Sequence, residues 1–218
     1  MSKENKDKDE RIWRTKVGGL WETLGKLQFN LLVENGLQQN HYLLDVGCGS
    51  LRGGIHFIRY LKESHYYGVD KDHDIIEGGK IELSENSLIE KKPIITEMSN
   101  FKFDLLQQKF DFAIAQSVFT HLPLNDIIKC LISIEKVLVK NGKFYATFFE
   151  NKQGKFNLEP IHHHTLDEIN LTSFFDKDPF HYDYQTFEWI CKNTQLTPRY
   201  IGDWNHPRNQ KLVLFTKN

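Results

Sequence analysis

Apolar side chains recur at helical spacing between Ile12 and Leu37, at Leu20, Trp21, Leu24, Leu27, Leu31 and Leu32. Gly18 and Gly19 break this stretch into a lead-in and a helix, and Gly36 marks the stop. Beyond it the pattern changes period. Short apolar runs at 41–46, 65–69, 93–96, 110–115 and 143–149 predict five strands. Helical spacing separates them, over 51–61, 74–88 and 124–138. The fourth run, FDFAIA, is apolar enough for a buried central strand. A short helix at 184–193 precedes two closing strands, 196–201 and 211–216. Residues 150–181 are polar, aromatic and rich in His with no clear period, which predicts a long loop insertion on the substrate side.

Strands alternating with helices imply an α/β fold. The expected architecture is a Rossmann-like, doubly wound, seven-stranded sheet, mostly parallel, with an antiparallel C-terminal edge strand and helices on both faces. The tail 1–11 carries alternating charges and should fray. Residues 12–218 then form one domain with a helical cap over 12–37. The apolar stripe from Trp21 to Leu32 can pack over the sheet edge, cover a ligand or form the face of a homodimer.

Charge narrows the choice of partner. With 28 Lys and Arg against 29 Asp and Glu, the chain lacks the basic surplus of a protein that neutralises many phosphates, so nucleic acid is not the expected partner. The three cysteines, Cys48, Cys130 and Cys191, form neither a disulfide framework nor a zinc-type pair. Reduced thiols and a cytoplasmic location are the simple reading. No apolar stretch is long enough to span a membrane.

Ligands of such sheets bind beyond the carboxyl ends of the strands. There the sequence places Asp45-Val-Gly-Cys-Gly-Ser-Leu-Arg-Gly53 between a strand and a helix. A dinucleotide site wants a third glycine where Arg52 stands, and an acid two residues before the first glycine would repel a phosphate. An acid at that point favours an amino-bearing or cationic ligand. Asp70 ends the next strand, at a spacing suited to accepting hydrogen bonds from a ribose diol.

These residues carry a resemblance. LLDVGCGSLRGG, YYGVDKD, FDFAIAQSVFTHLP and NGKFYATFF resemble the motifs of class I S-adenosylmethionine-dependent methyltransferases, and the first resembles a bacterial subgroup with a GCGSLRGG motif. The resemblance implies S-adenosylmethionine as cofactor and a small-molecule or saccharide acceptor. It implies that Gly47, Cys48 and Gly49 line the methionine moiety with backbone and that Asp45 contacts it directly or through water. It further implies that Asp70, with Lys71 beside it, binds the ribose. Asn100, standing where many members place Asp, and Phe101 would meet the adenine, while Gln116 and Ser117 would face the sulfonium.

Methyl transfer needs alignment above all, and a base only for some acceptors. His121 is the candidate base, with packing at the start of the next helix as the alternative; Glu150 could bind substrate or cap a loop. Tyr182, Trp204 and His206 are candidate substrate contacts, with loop packing and turn chemistry as the competing readings. His162, His163 and His164 are adjacent, so they diverge and make no metal site. A non-catalytic cofactor- or metabolite-binding module of the same fold is the alternative function.

Overall fold

The computed structural model describes residues 11–152 and 157–218. It divides into two compact units, one ending at Ser99 and one spanning Asn100–Asn218. The expected fraying tail lies outside the described residues except for Arg11, which pairs with Glu85 at 3.1 Å.

In the first unit, helices α1 (Ile12–Lys16) and α2 (Trp21–Glu34) precede strand β1 (Leu43–Val46). Then come α3 (Gly54–Tyr60), β2 (Tyr66–Asp70), α4 (His73–Glu85) and β3 (Ile94–Glu97). The strands are parallel, in the order β3-β2-β1, with Val46 opposite Val69 and Asp70 opposite Glu97. All four residues of β1 are buried, as the apolar run predicts for an interior strand. Leu24, Gly25, Gln28 and Leu32 form the buried stripe of α2. The helix ends where Gly36 adopts φ 100° and Leu37 N–H donates to the Leu32 carbonyl, a glycine-terminated cap. Asp72 caps α4 by accepting from Ile75 N–H at 3.1 Å.

The second unit contains β4 (Phe110–Ala115), α5 (Leu124–Val137), β5 (Leu138–Glu150), β6 (Ile161–His163) and β7 (Leu171–Ser173). It closes with β8 (His181–Tyr182), α6 (Tyr184–Cys191), β9 (Leu196–Gly202) and β10 (Lys211–Lys217). β4 and β5 are parallel, and β10 runs antiparallel to both β5 and β9. The C-terminal strand is therefore the antiparallel one, while β9 takes the outer position. The core is aromatic: Phe144 lies 5.7 Å from Phe215 and Phe148 4.9 Å from Phe187, ring centre to ring centre. Over this sheet α5 buries Ile127, Cys130, Leu131, Ile134 and Val137, one face at helical spacing.

The seven strands expected from the sequence are all present, three in the first unit and four in the second. Two expectations need correction. β5 begins at Leu138, directly after α5, because its first residue already pairs with Phe110 before Asn141, at φ 62°, shifts the register. The segment expected as a loop over 150–181 carries a β6–β7 hairpin, and β8 pairs in parallel with the end of β5. These strands are only two or three residues long, too short to show a period.

Candidate functional site

The glycine turn follows β1 directly. Gly47 and Gly49 take φ 69° and 55°, the left-handed region that favours glycine. Gly47 N–H and Cys48 N–H both donate to the Val69 carbonyl, at 2.8 and 3.1 Å, which ties the turn to the end of β2. Space is a second constraint: a Cβ on Gly49 would lie 2.8 Å from a Val17 methyl. The Cys48 thiol turns inward over Gly68, where a Cβ would meet its sulfur at 2.9 Å. Burial pushes the pKa of that thiol well above its ordinary value, which keeps it protonated and unreactive.

Asp70 fixes the turn from the opposite side. One carboxylate oxygen accepts from Gly49 N–H at 2.9 Å and the other from Asp72 N–H at 3.0 Å. Each oxygen keeps a second lone pair. Lys71, next to it, is exposed. Asp45 is buried and accepts from the Tyr66 hydroxyl at 2.7 Å. Burial raises its pKa to about 7, against the lowering pull of Tyr66; Asp70 adds to the rise and Arg52 opposes it. Nothing in the spacing of residues points to Tyr66 as its partner. Its phenol explains Gly54 as well, where a Cβ would fall 2.6 Å from that oxygen.

Arg52, the residue that spoils a dinucleotide motif, reaches back across the turn. Its guanidinium donates to the carbonyls of Val17 and Gly19, at 2.8 and 2.9 Å. The lead-in is pinned at its other end by Glu82, fully buried, which accepts from Trp13 at 2.9 Å and twice from Arg14 at 2.6 Å. The expected cap over 12–37 thus includes a strap across the glycine turn.

In the second unit, Asn100 is exposed and accepts from Lys102 N–H at 3.3 Å. Phe101 takes φ 56° and stands edge-on to Phe103. Gln116 and Ser117, leaving β4, join a polar network. The Gln116 amide lies 2.6 Å from Ser117 Oγ and 3.0 Å from His206 Nε2. Ser117 N–H donates to Thr147 Oγ1 at 2.7 Å, and both hydroxyls, at 3.0 and 2.7 Å, contact Gln210. Trp204 donates to the Gln210 carbonyl at 3.0 Å. The structure therefore gathers Gln116, Ser117, Trp204 and His206, and adds Thr147 and Gln210, which the sequence did not single out. Thr147 is buried in a stretch of β5 that is buried at every position, so no alternation marks it.

Other candidates part company. His121 ends a short 3₁₀ turn, Phe119–His121, and its Nδ1 lies 2.6 Å from an Asp178 oxygen. Glu150 instead meets the Tyr200 phenol, whose pKa burial raises and this bond raises further. Lys152 lies 4.0 Å from the same carboxylate. Tyr182, half-buried, donates its hydroxyl to the Leu122 carbonyl at 2.6 Å, and its ring packs on Phe187. His162 and His163 pair with Thr172 and Ser173 across the β6–β7 hairpin, at 2.8 and 2.7 Å. Among the described residues no group of three or more His, Cys, Asp or Glu is placed to hold a metal. Nor is any described helix long and apolar enough to cross a membrane.

A fungal relative, the probable methyltransferase ltbC of Aspergillus luteorubrus, is 28% identical over 116 residues, which span 51% of this chain and 40% of that protein. Among solved structures, an S-adenosylmethionine-dependent methyltransferase from Clostridium acetobutylicum superposes with a TM-score of 0.69 at 13% identity, covering 97% of this chain and 98% of its own. Magnesium protoporphyrin IX methyltransferase from Synechocystis, solved with bound SAH, gives a TM-score of 0.66 at 13% identity over 98% of this chain and 94% of its own. These likenesses establish the fold as Rossmann-like. The model of the methyltransferase domain family matches residues 37–195, and the chain belongs to that family.

Proposed function

We propose that this protein is an S-adenosylmethionine-dependent methyltransferase acting on a small-molecule or saccharide acceptor. One observation carries the reading: a glycine turn held against a carboxylate at the end of β2, with a second carboxylate buried behind it. The residues fit that cofactor on their own terms. Asp70 is fixed by two backbone N–H groups and can still accept from a ribose diol. Gly47 is exposed at the turn, and Gly47 and Gly49 both hold the left-handed backbone that the bend needs. Two acids and no third turn glycine disfavour a pyrophosphate. Bound there, the cofactor would supply a methyl group on a positively charged sulfur, and Asp45 would favour its methionine end, directly or through water. Three buried, unbridged cysteines support a reducing compartment such as the cytoplasm.

Calorimetry with S-adenosylmethionine, its demethylated product and NAD tests the reading. Binding of the first two and none of the third is expected. Tight NAD binding with no response to the others would overturn it. Binding without turnover on any acceptor would favour the non-catalytic module.

A further inference from the structure

His121 and Asp178 lie 57 positions apart in sequence, yet the ring and the carboxylate meet at 2.6 Å. The contact is not needed to dock the segment carrying Asp178. Phe180 N–H already donates to the Thr120 carbonyl at 2.7 Å, and the Tyr182 hydroxyl to that of Leu122 at 2.6 Å. An ion pair whose side chains are 55% and 57% exposed adds little to stability. Its chemical effect is larger. A carboxylate on Nδ1 holds the proton there in the neutral ring, which leaves the Nε2 lone pair as the basic position. Among the described residues Nε2 makes no hydrogen bond. The ring follows the carboxyl end of β4, where ligands of such sheets bind.

Resting on the methyltransferase reading above, we propose that Asp178 is a positioning residue that sets His121 as the base for a hydroxyl acceptor, an alcohol or phenol. A thiolate or carboxylate acceptor is already anionic, and a neutral amine can attack before it loses a proton. A hydroxyl gains most from giving up its proton as it attacks. In that step the oxygen–carbon bond forms, the carbon–sulfur bond breaks and its electron pair stays on sulfur. The hydroxyl proton passes to Nε2 and then to solvent.

Nitrogen-15 NMR of the full chain reads the tautomer without any acceptor. At pH 8 His121 should show a protonated Nδ1 and a bare Nε2, with the populations shifting toward protonated Nε2 in Asp178→Asn and returning in Asp178→Glu. Unchanged populations in Asp178→Asn would overturn the positioning role. In parallel, methyl transfer is measured on simple phenols, pyranosides, primary amines and thiols. Hydroxyl turnover should fall about 100-fold or more in His121→Ala and recover with added imidazole. It should fall roughly tenfold or more in Asp178→Asn, with cofactor affinity unchanged. Turnover of no hydroxyl in the panel, or full activity in His121→Ala, would refute the acceptor assignment. Failure of the wild-type chain to bind S-adenosylmethionine would instead strike the underlying reading, and the NMR result would stand apart from it.

Discussion

Asp45 should make the stability of this protein fall as pH rises. Its side chain is buried within β1, its Oδ2 takes the Tyr66 hydroxyl at 2.7 Å, and its pKa rises from 3.8 to about 7. Between those two values the folded chain keeps a proton that the unfolded chain releases. Stability then drops by about 1.4 kcal/mol per pH unit across the window, and the loss is complete above the folded-state value. Over the whole window the penalty reaches at most about 4 kcal/mol. Asp45→Asn keeps an oxygen to accept from Tyr66 and removes the charge. Urea unfolding of both proteins from pH 4 to 8 reads the effect, because titrating groups not coupled to Asp45 cancel in the difference. The variant should gain on the wild type steadily as pH rises. Parallel curves would show that Asp45 is ionised in the fold at all these pH values, and the account of a buried, proton-holding carboxylate would fail. The same carboxylate beside a cationic ligand should shed its proton, so S-adenosylmethionine binding at pH 7 should release protons, seen as a buffer-dependent enthalpy.

Asp70→Asn leaves one carbonyl oxygen for the two backbone donors at Gly49 and Asp72. It should weaken S-adenosylmethionine binding about tenfold or more, a loss near 1.5 kcal/mol; calorimetry that finds equal affinity would remove Asp70 from the cofactor site. Gly78→Ala should not give the stabilisation of about 1 kcal/mol expected of an ordinary helical glycine, because the new methyl would strike the Trp13 side chain. A shift of tryptophan emission with no gain in stability is expected, and a simple gain would show that Trp13 does not rest there. Glu82 is held below its usual range: burial pushes its pKa up, but the hydrogen bonds from Arg14 and Trp13 outweigh that. Its contribution is present above the unfolded-state value of 4.5 and is lost as pH falls through the lower folded value. Acid titration of Glu82→Gln should therefore lack part of the wild-type loss below pH 4.5.

Elements whose signal is local were legible in the sequence. The apolar face of α5, the run of β4 and the glycine turn all declare themselves within a dozen residues. The carboxylates at 45 and 70 could be placed because the strand ends fix them. What remained hidden depends on meetings between distant positions. Arg14 finds Glu82 across 68 positions, Ser117 finds Gln210 across 93, and Tyr66 finds Asp45 across 21. No spacing rule encodes such pairs. Glu150 stands at a strand end and Tyr182 beside an aperiodic stretch, and neither place gives a side-chain direction, which brings them to Tyr200 and Leu122.

The inward turn of Cys48 has a practical consequence, shared with Cys130 and Cys191, since all three thiols are buried. Maleimide dyes and spin labels should leave the folded native chain almost untouched. A single cysteine introduced on the surface, for example at Asp176, would then carry a probe without first stripping the molecule of its own sulfur. Movements of the segment that carries Asp178 could be followed in an otherwise unaltered protein.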